Sequence, residues 1–156
     1  MPKRRSRQDR FVPAKLLDEK DGRFILVPEL LGRSVGILRR RLDVGQREMA
    51  EELLWPQSVV SKVERGGAST NVAQLAELCG ALNRLSKDRL GEARAWELEP
   101  WQLLQLISKL IKAAEPEEFA FVWASERQFD GERCLRGREL VELIRQHWPD
   151  EYRELL

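Results

Sequence analysis

The sequence predicts a mainly all-α fold, and three observations predict it. Apolar residues recur at helical spacing in three stretches. These are Met49, Ala50 and Leu53 followed by Val60 and Val63; Leu103, Leu104, Ile107, Leu110 and Ile111; and Leu140, Val141, Leu143, Ile144 and Trp148. Helix-breaking residues sit at the ends of those stretches, at Pro56, Gly66, Pro100, Pro116 and Pro149. β-prone sequence is confined to short runs, of which Phe24-Ile25-Leu26-Val27 is the clearest.

The chain begins with MPKRRSRQDR, five basic side chains and one acid without an apolar face. It lacks the hydrophobic stretch of a secretion signal. Such an arm, Arg4 and Arg5 included, gains by releasing counterions from phosphate or by reaching into a minor groove; a solvated tail is the plain alternative. Lys20-Asp21-Gly22 reads as a turn before the β-prone run. A small hairpin with Phe11 to Leu17 is one expectation, with Pro13 confining that strand to an edge. A helix from Ala14 to Glu19 competes with it.

Val44 to Gly66 reads as two short helices joined by a tight break. Gln46 to Leu53 turns Met49, Ala50 and Leu53 to one face, Leu54-Trp55-Pro56 interrupts, and Gln57 to Glu64 turns Val60 and Val63 inward. Gln57, Ser58, Ser61 and Lys62 are left on the outer face. Short polar side chains with donors and acceptors at the front of a helix are what a reader of the DNA major groove needs. Gln46 opens a helix, so its amide and the free backbone N–H groups can hold a phosphate. Trp55 fits best as a plug between the two helices.

Gly32 to Asn83 resembles the lambda repressor and Cro-like, or XRE, family of helix-turn-helix regulators. The residues that carry the resemblance are Leu31-Gly32, Val35 and Leu38-Arg39 in a first helix; Gln46 and Met49-Ala50 in a second; Val63-Glu64-Arg65-Gly66 closing a third; and Leu75, Leu78, Cys79, Ala81 and Leu82 in a fourth. They fall in one gap-free register over about a third of the chain. The resemblance implies a five-helix lambda-repressor-like DNA-binding domain and an ion pair between Arg39 and Glu64. Gln57, Ser58, Ser61 and Lys62 would meet base edges, and Gln46, Arg65 and Asn71 would meet phosphates. Three positions depart from the family pattern. Gly45 supplies no capping side chain. Leu54 stands where glycine is usual; a leucine at positive φ is strained, so a differently built turn is expected. Pro56 suits a helix start but gives neither a cap nor a phosphate contact.

Beyond residue 91 the chain reads as helical. Glu99-Pro100 opens a helix running to about Ala114, Glu117 to Phe129 reads as a helix or, second, a short strand, and Asp130-Gly131 is a turn. Arg138 to Trp148 forms a further helix, and Asp150 to Leu156 a last turn. Four of the five tryptophans lie beyond residue 90. Helices this short need a packing partner. The expected organisation is a basic arm and extension over 1–28, a DNA-binding domain over 29–91 and a helical oligomerisation or partner-binding region over 92–156.

Charge follows that division. Met1 to Lys87 holds 17 Lys and Arg against 11 Asp and Glu, while Asp88 to Leu156 holds 10 against 15. A basic front and an acidic back suit a DNA reader joined to a partner-binding module. No catalytic constellation emerges. His147 is the sole histidine, and Cys79 and Cys134 match no zinc spacing, so neither enzyme activity, cofactor nor metal is expected. No apolar run can span a membrane, and the setting expected is cytoplasmic. The expected partners are double-stranded DNA and a second copy of the chain, bound as a dimeric repressor on an inverted repeat. The alternatives are an antitoxin that represses its own operon and binds a toxin through the C-terminal region, and an interaction module that has lost DNA binding.

Overall fold

The computed structural model describes residues 23–114, 119–125 and 134–155. The fold is mainly helical. Strand β1 (Arg23–Leu26) leads into helix α1 (Val27–Arg41), followed by α2 (Gln46–Leu53), α3 (Gln57–Glu64) and α4 (Val72–Leu90). A 3-10 turn (Glu92–Arg94), helix α5 (Pro100–Ala114), strand β2 (Phe119–Val122), helix α6 (Gly137–Gln146) and a 3-10 segment (Asp150–Leu155) complete it.

Helix α1 is the hub. Pro28 stands in its first turn, where a missing N–H costs nothing, and Arg39, Arg40 and Arg41 close its last turn, where the helix dipole favours cations. Eleven of its fifteen residues are buried, because it packs against β1, α3, α4, α5 and α6 at once. Glycine makes the tightest of these crossings possible. A Cβ on Gly32 would stand 2.0 Å from the Val63 carbonyl oxygen, and one on Gly36 would stand 2.7 Å from Glu64 Oε1.

The β-prone run does form a strand, and it pairs with a segment far along the chain. β1 pairs in parallel with β2, Arg23 opposite Phe119 and Leu26 opposite Val122. Phe24 also bridges to Cys134, and its carbonyl accepts from Leu135 N at 2.8 Å. The possible hairpin partner, Phe11 to Leu17, lies outside the described residues. The strand at 119–122 also replaces part of the helix expected over 117–129. Its alternation of half-buried Phe119 and Phe121 with buried Ala120 and Val122 is a period of two. A four-residue run is too short for sequence periodicity to decide between strand and helix.

The front and back halves share one apolar core, a continuous cluster that includes Ile25, Leu38, Met49, Leu82, Leu103, Leu140 and Tyr152. The segment between them is stitched down. Asn83 receives Leu98 N at 2.8 Å and donates to Leu98 O at 2.9 Å, while Ser86 Oγ accepts from Trp96 N at 2.7 Å. Trp96 and Leu98 are buried. Trp148 donates to Tyr152 O at 2.8 Å and Tyr152 OH donates to Gln105, which folds the C-terminal end back onto α5. Along α5 the buried residues are Leu103, Leu106, Ile107, Leu110 and Ala114. Leu104, part of the apolar stripe read from the sequence, is 50% exposed; the stripe is wider than the buried arc.

Candidate nucleic-acid interface

The candidate interface is built on two eight-residue helices, each too short to persist alone. Met49, Ala50 and Leu53 of α2 and Val60 and Val63 of α3 are buried together. Neither helix has a side-chain N-cap: Gly45 precedes α2 and Pro56 precedes α3, both with extended backbone. Open space surrounds Gly45, since nothing lies within 4 Å of an added Cβ.

Leu54 corrects the expectation about the turn. It adopts the left-handed conformation at φ 57, ψ 35, so the turn keeps the glycine-like backbone in spite of its leucine. That conformation closes α2: Leu54 N donates to Glu51 O at 3.3 Å and Trp55 N to Ala50 O at 3.0 Å. The half-buried Trp55 packs against the core beside it. These contacts offset the roughly 1–2 kcal/mol cost of a left-handed L-residue. The leucine side chain itself is 91% exposed.

A buried ion pair fixes α3 to α1. Arg39 Nε donates to Glu64 Oε2 at 3.1 Å and Oε1 at 3.2 Å, and Nη2 donates to Oε1 at 2.8 Å. Nη1 donates to Val44 O at 2.7 Å, which ties in the loop before α2. Gln46 Nε2 reaches Glu64 Oε2 at 3.4 Å. One carboxylate therefore gathers α1, α2 and α3, and its desolvation is offset by several charge-assisted bonds.

The outer face of α3 is open. Gln57 and Ser58 are exposed at its N-terminal end, Ser61 and Lys62 are half-buried further along, and Arg65 is exposed at its C-terminal end. Most acids of α2 are drawn elsewhere. Glu48 pairs with Arg89 at 2.6 Å and Glu52 with Arg84 at 2.5 Å, both on α4, and Glu51 pairs with Arg47 within its own helix. Gln46 is half-buried at the start of α2. Asn71 has a structural duty: its Oδ1 accepts from Gln74 N at 2.8 Å and Gln74 Oε1 accepts from Asn71 N at 3.0 Å, a reciprocal cap on α4. Arg4 and Arg5 lie outside the described residues.

Sequence reasoning missed a second buried carboxylate. Glu29 is 0% exposed. Its Oε1 accepts from Arg33 Nη2 at 3.2 Å and Gly137 N at 3.2 Å, and its Oε2 from Arg136 Nε at 3.0 Å. Gly66 makes room for it: at φ +70, a Cβ there would stand 2.4 Å from Glu29 Cα. The only local signal was the Glu29–Arg33 spacing of four; nothing pointed to a partner 107 positions away.

Among the described residues no group of three or more His, Cys, Asp and Glu could hold a metal, and no helix is long and apolar enough to cross a membrane. The Cys79 thiol is pushed up to about 12, first by burial and then by the Glu99 carboxylate, so at neutral pH it stays protonated and inert. Tyr152 is also raised, chiefly by burial. No family model, curated protein or solved structure matches the chain.

Proposed function

We propose that the chain is a sequence-specific DNA-binding transcriptional regulator, a cytoplasmic protein that acts as a dimeric repressor on an inverted repeat. The observation that carries this reading is the outer face of α3. Gln57 and Ser58 stand free at the front of a helix whose back is clamped to α1 by Arg39 and Glu64. A glutamine there suits adenine, accepting from N6 and donating to N7 in the major groove. Ser61 and Lys62 extend the readout or touch phosphate. Gln46, Arg65, Asn71 and the basic residues Arg4 and Arg5 would hold the backbone. The resemblance to the lambda repressor-like family supports the same assignment.

The test is selection of bound duplexes from a random pool with the full chain. Enrichment of an inverted repeat with half-sites about one helical turn apart is expected; no enriched sequence at low salt would overturn the reading. Within a selected site, Gln57→Ala is expected to cost about 1–3 kcal/mol of specific binding while non-specific affinity barely moves. Equal loss on both, measured by titration at fixed salt, would show that Gln57 reads no base.

A further inference from the structure

Helix α5 has a second face that the other described residues leave uncovered. Trp101 is 60% exposed and Leu104 50% exposed, Ser108 is exposed, and Ile111 is half-buried. Steps of three and four place these side chains on one stripe. A largely apolar groove of about 460 Å³ runs alongside, between the α5 residues Leu104, Ser108 and Ile111 and the start of α1 at Val27 and Pro28. Trp123, 70% exposed, stands at its edge. Contiguous apolar surface of this kind marks a binding site more often than idle surface.

The two ends of the stripe carry opposite charges. Lys112 lines the groove in the last turn of α5, and Glu99 immediately precedes the helix. Both are exposed, and neither has an ion-pair partner among the described residues. The Glu99 carboxylate lies close enough to Cys79 to help raise its thiol; Cys79 is one turn along α4 from Leu75, another residue of the groove. Basic at one end and acidic at the other, the stripe complements itself when a copy is laid on it in the reverse direction.

We infer that α5 pairs antiparallel with α5 of a second copy of this chain, about a two-fold axis that crosses the exposed stripe midway between Leu104 and Ser108. In that register Trp101 covers the partner's Ile111, Leu104 faces the partner's Ser108, and Lys112 meets the partner's Glu99. The small serine opposite the leucine lets the helices interdigitate. Every contact occurs twice, as a two-fold interface requires. Aromatic side chains bury about 150–250 Å² each when fully covered; Trp101, Trp123 and Leu104 are 60%, 70% and 50% exposed, so from both copies they remove roughly 500–800 Å², and the facing Ile111, Ser108 and Lys112 bring the pair to about the 1,000 Å² threshold of a specific interface. The pairing needs nothing from the DNA-binding reading, although a two-fold dimer is what an inverted repeat calls for.

Sedimentation equilibrium of the full chain tests it. The wild type is expected to be a dimer at micromolar concentration, and L104D a monomer with unchanged far-UV circular dichroism. K112E and E99K are surface changes, each expected to weaken dimerisation roughly tenfold because the lost pair occurs twice. The double variant K112E/E99K is expected to regain dimerisation to within about threefold of wild type, since both charges are exchanged together. A monomeric wild type, or a dimer indifferent to both single variants, would overturn the pairing, as would a double variant no better than either single. A dimer that selects no duplex would sink the regulator reading alone, and a monomer that selects one would sink the pairing alone.

Discussion

Two buried glutamates, Glu29 within the hub helix and Glu64 packed against it, do opposite jobs. Glu64, 4% exposed, closes a circuit within the front half: Arg39, Val44 and Gln46 all lie within 25 positions of it. Glu29, 0% exposed, closes a circuit between halves, reaching Arg136 and Gly137 across more than a hundred positions. The first sets the pose of α3 relative to α1 and α2. The second seats the start of α6 on the start of α1. The same chemistry, a desolvated carboxylate with arginine partners, thus holds the candidate interface rigid in one place and joins it to the rest of the molecule in the other.

The comparison can be broken by mutation, and the largest effect is expected at the first circuit. Arg39→Ala leaves Glu64 buried without its main partner and should destabilise the fold by about 3–5 kcal/mol, read as a lower denaturant midpoint. A change near zero would mean that water replaces the guanidinium and that the clamp holds nothing. Next comes Gly32→Ala, which forces a Cβ toward the Val63 carbonyl. Overpacking of this kind should cost roughly 1–3 kcal/mol and, because it pushes α3 off α1, should weaken the DNA binding proposed for α3 beyond the loss of stability.

At the second circuit Arg136→Ala is expected to cost less, about 1–2 kcal/mol. Arg136 is 36% exposed, and Arg33 and Gly137 N still serve Glu29. Hydrogen exchange should show faster opening of α6 while α2 and α3 keep their protection; equal loosening of all three would erase the distinction between the circuits. The smallest effect is a gain. Leu54→Gly relieves the left-handed leucine without removing buried surface, and should raise stability by up to about 1 kcal/mol. A loss instead would mean that the exposed leucine makes a contact that holds the turn.

The legible part of the molecule was the part whose contacts are local. Gln46–Leu53 and Gln57–Glu64 could be bounded from apolar spacing because each helix turns one face to an adjacent element. Arg39 and Glu64 could be paired from a motif only 25 positions long. Leu54 was read as an obstacle to the left-handed turn because strain was weighed without the Trp55 packing and the backbone bonds that offset it. The stripe on α5 could not be divided into core and surface from the sequence, because a broad apolar stripe is wider than the arc one helix buries. The β1–β2 pairing and the Arg136 partner of Glu29 were invisible, since neither leaves a mark near its own residues.

By itself the sequence determined the helices of the front half, their order and the polar row on α3, because helical periodicity, prolines and glycines act within a few residues. Only the tertiary structure decided that one core runs through both halves, that a strand near residue 23 pairs in parallel with one near 119, and which face of α5 the described residues leave uncovered. Those outcomes depend on which distant surfaces meet. Parallel pairing and a salt link over a hundred positions are settled by shape and desolvation when the whole chain packs, and no local pattern encodes them.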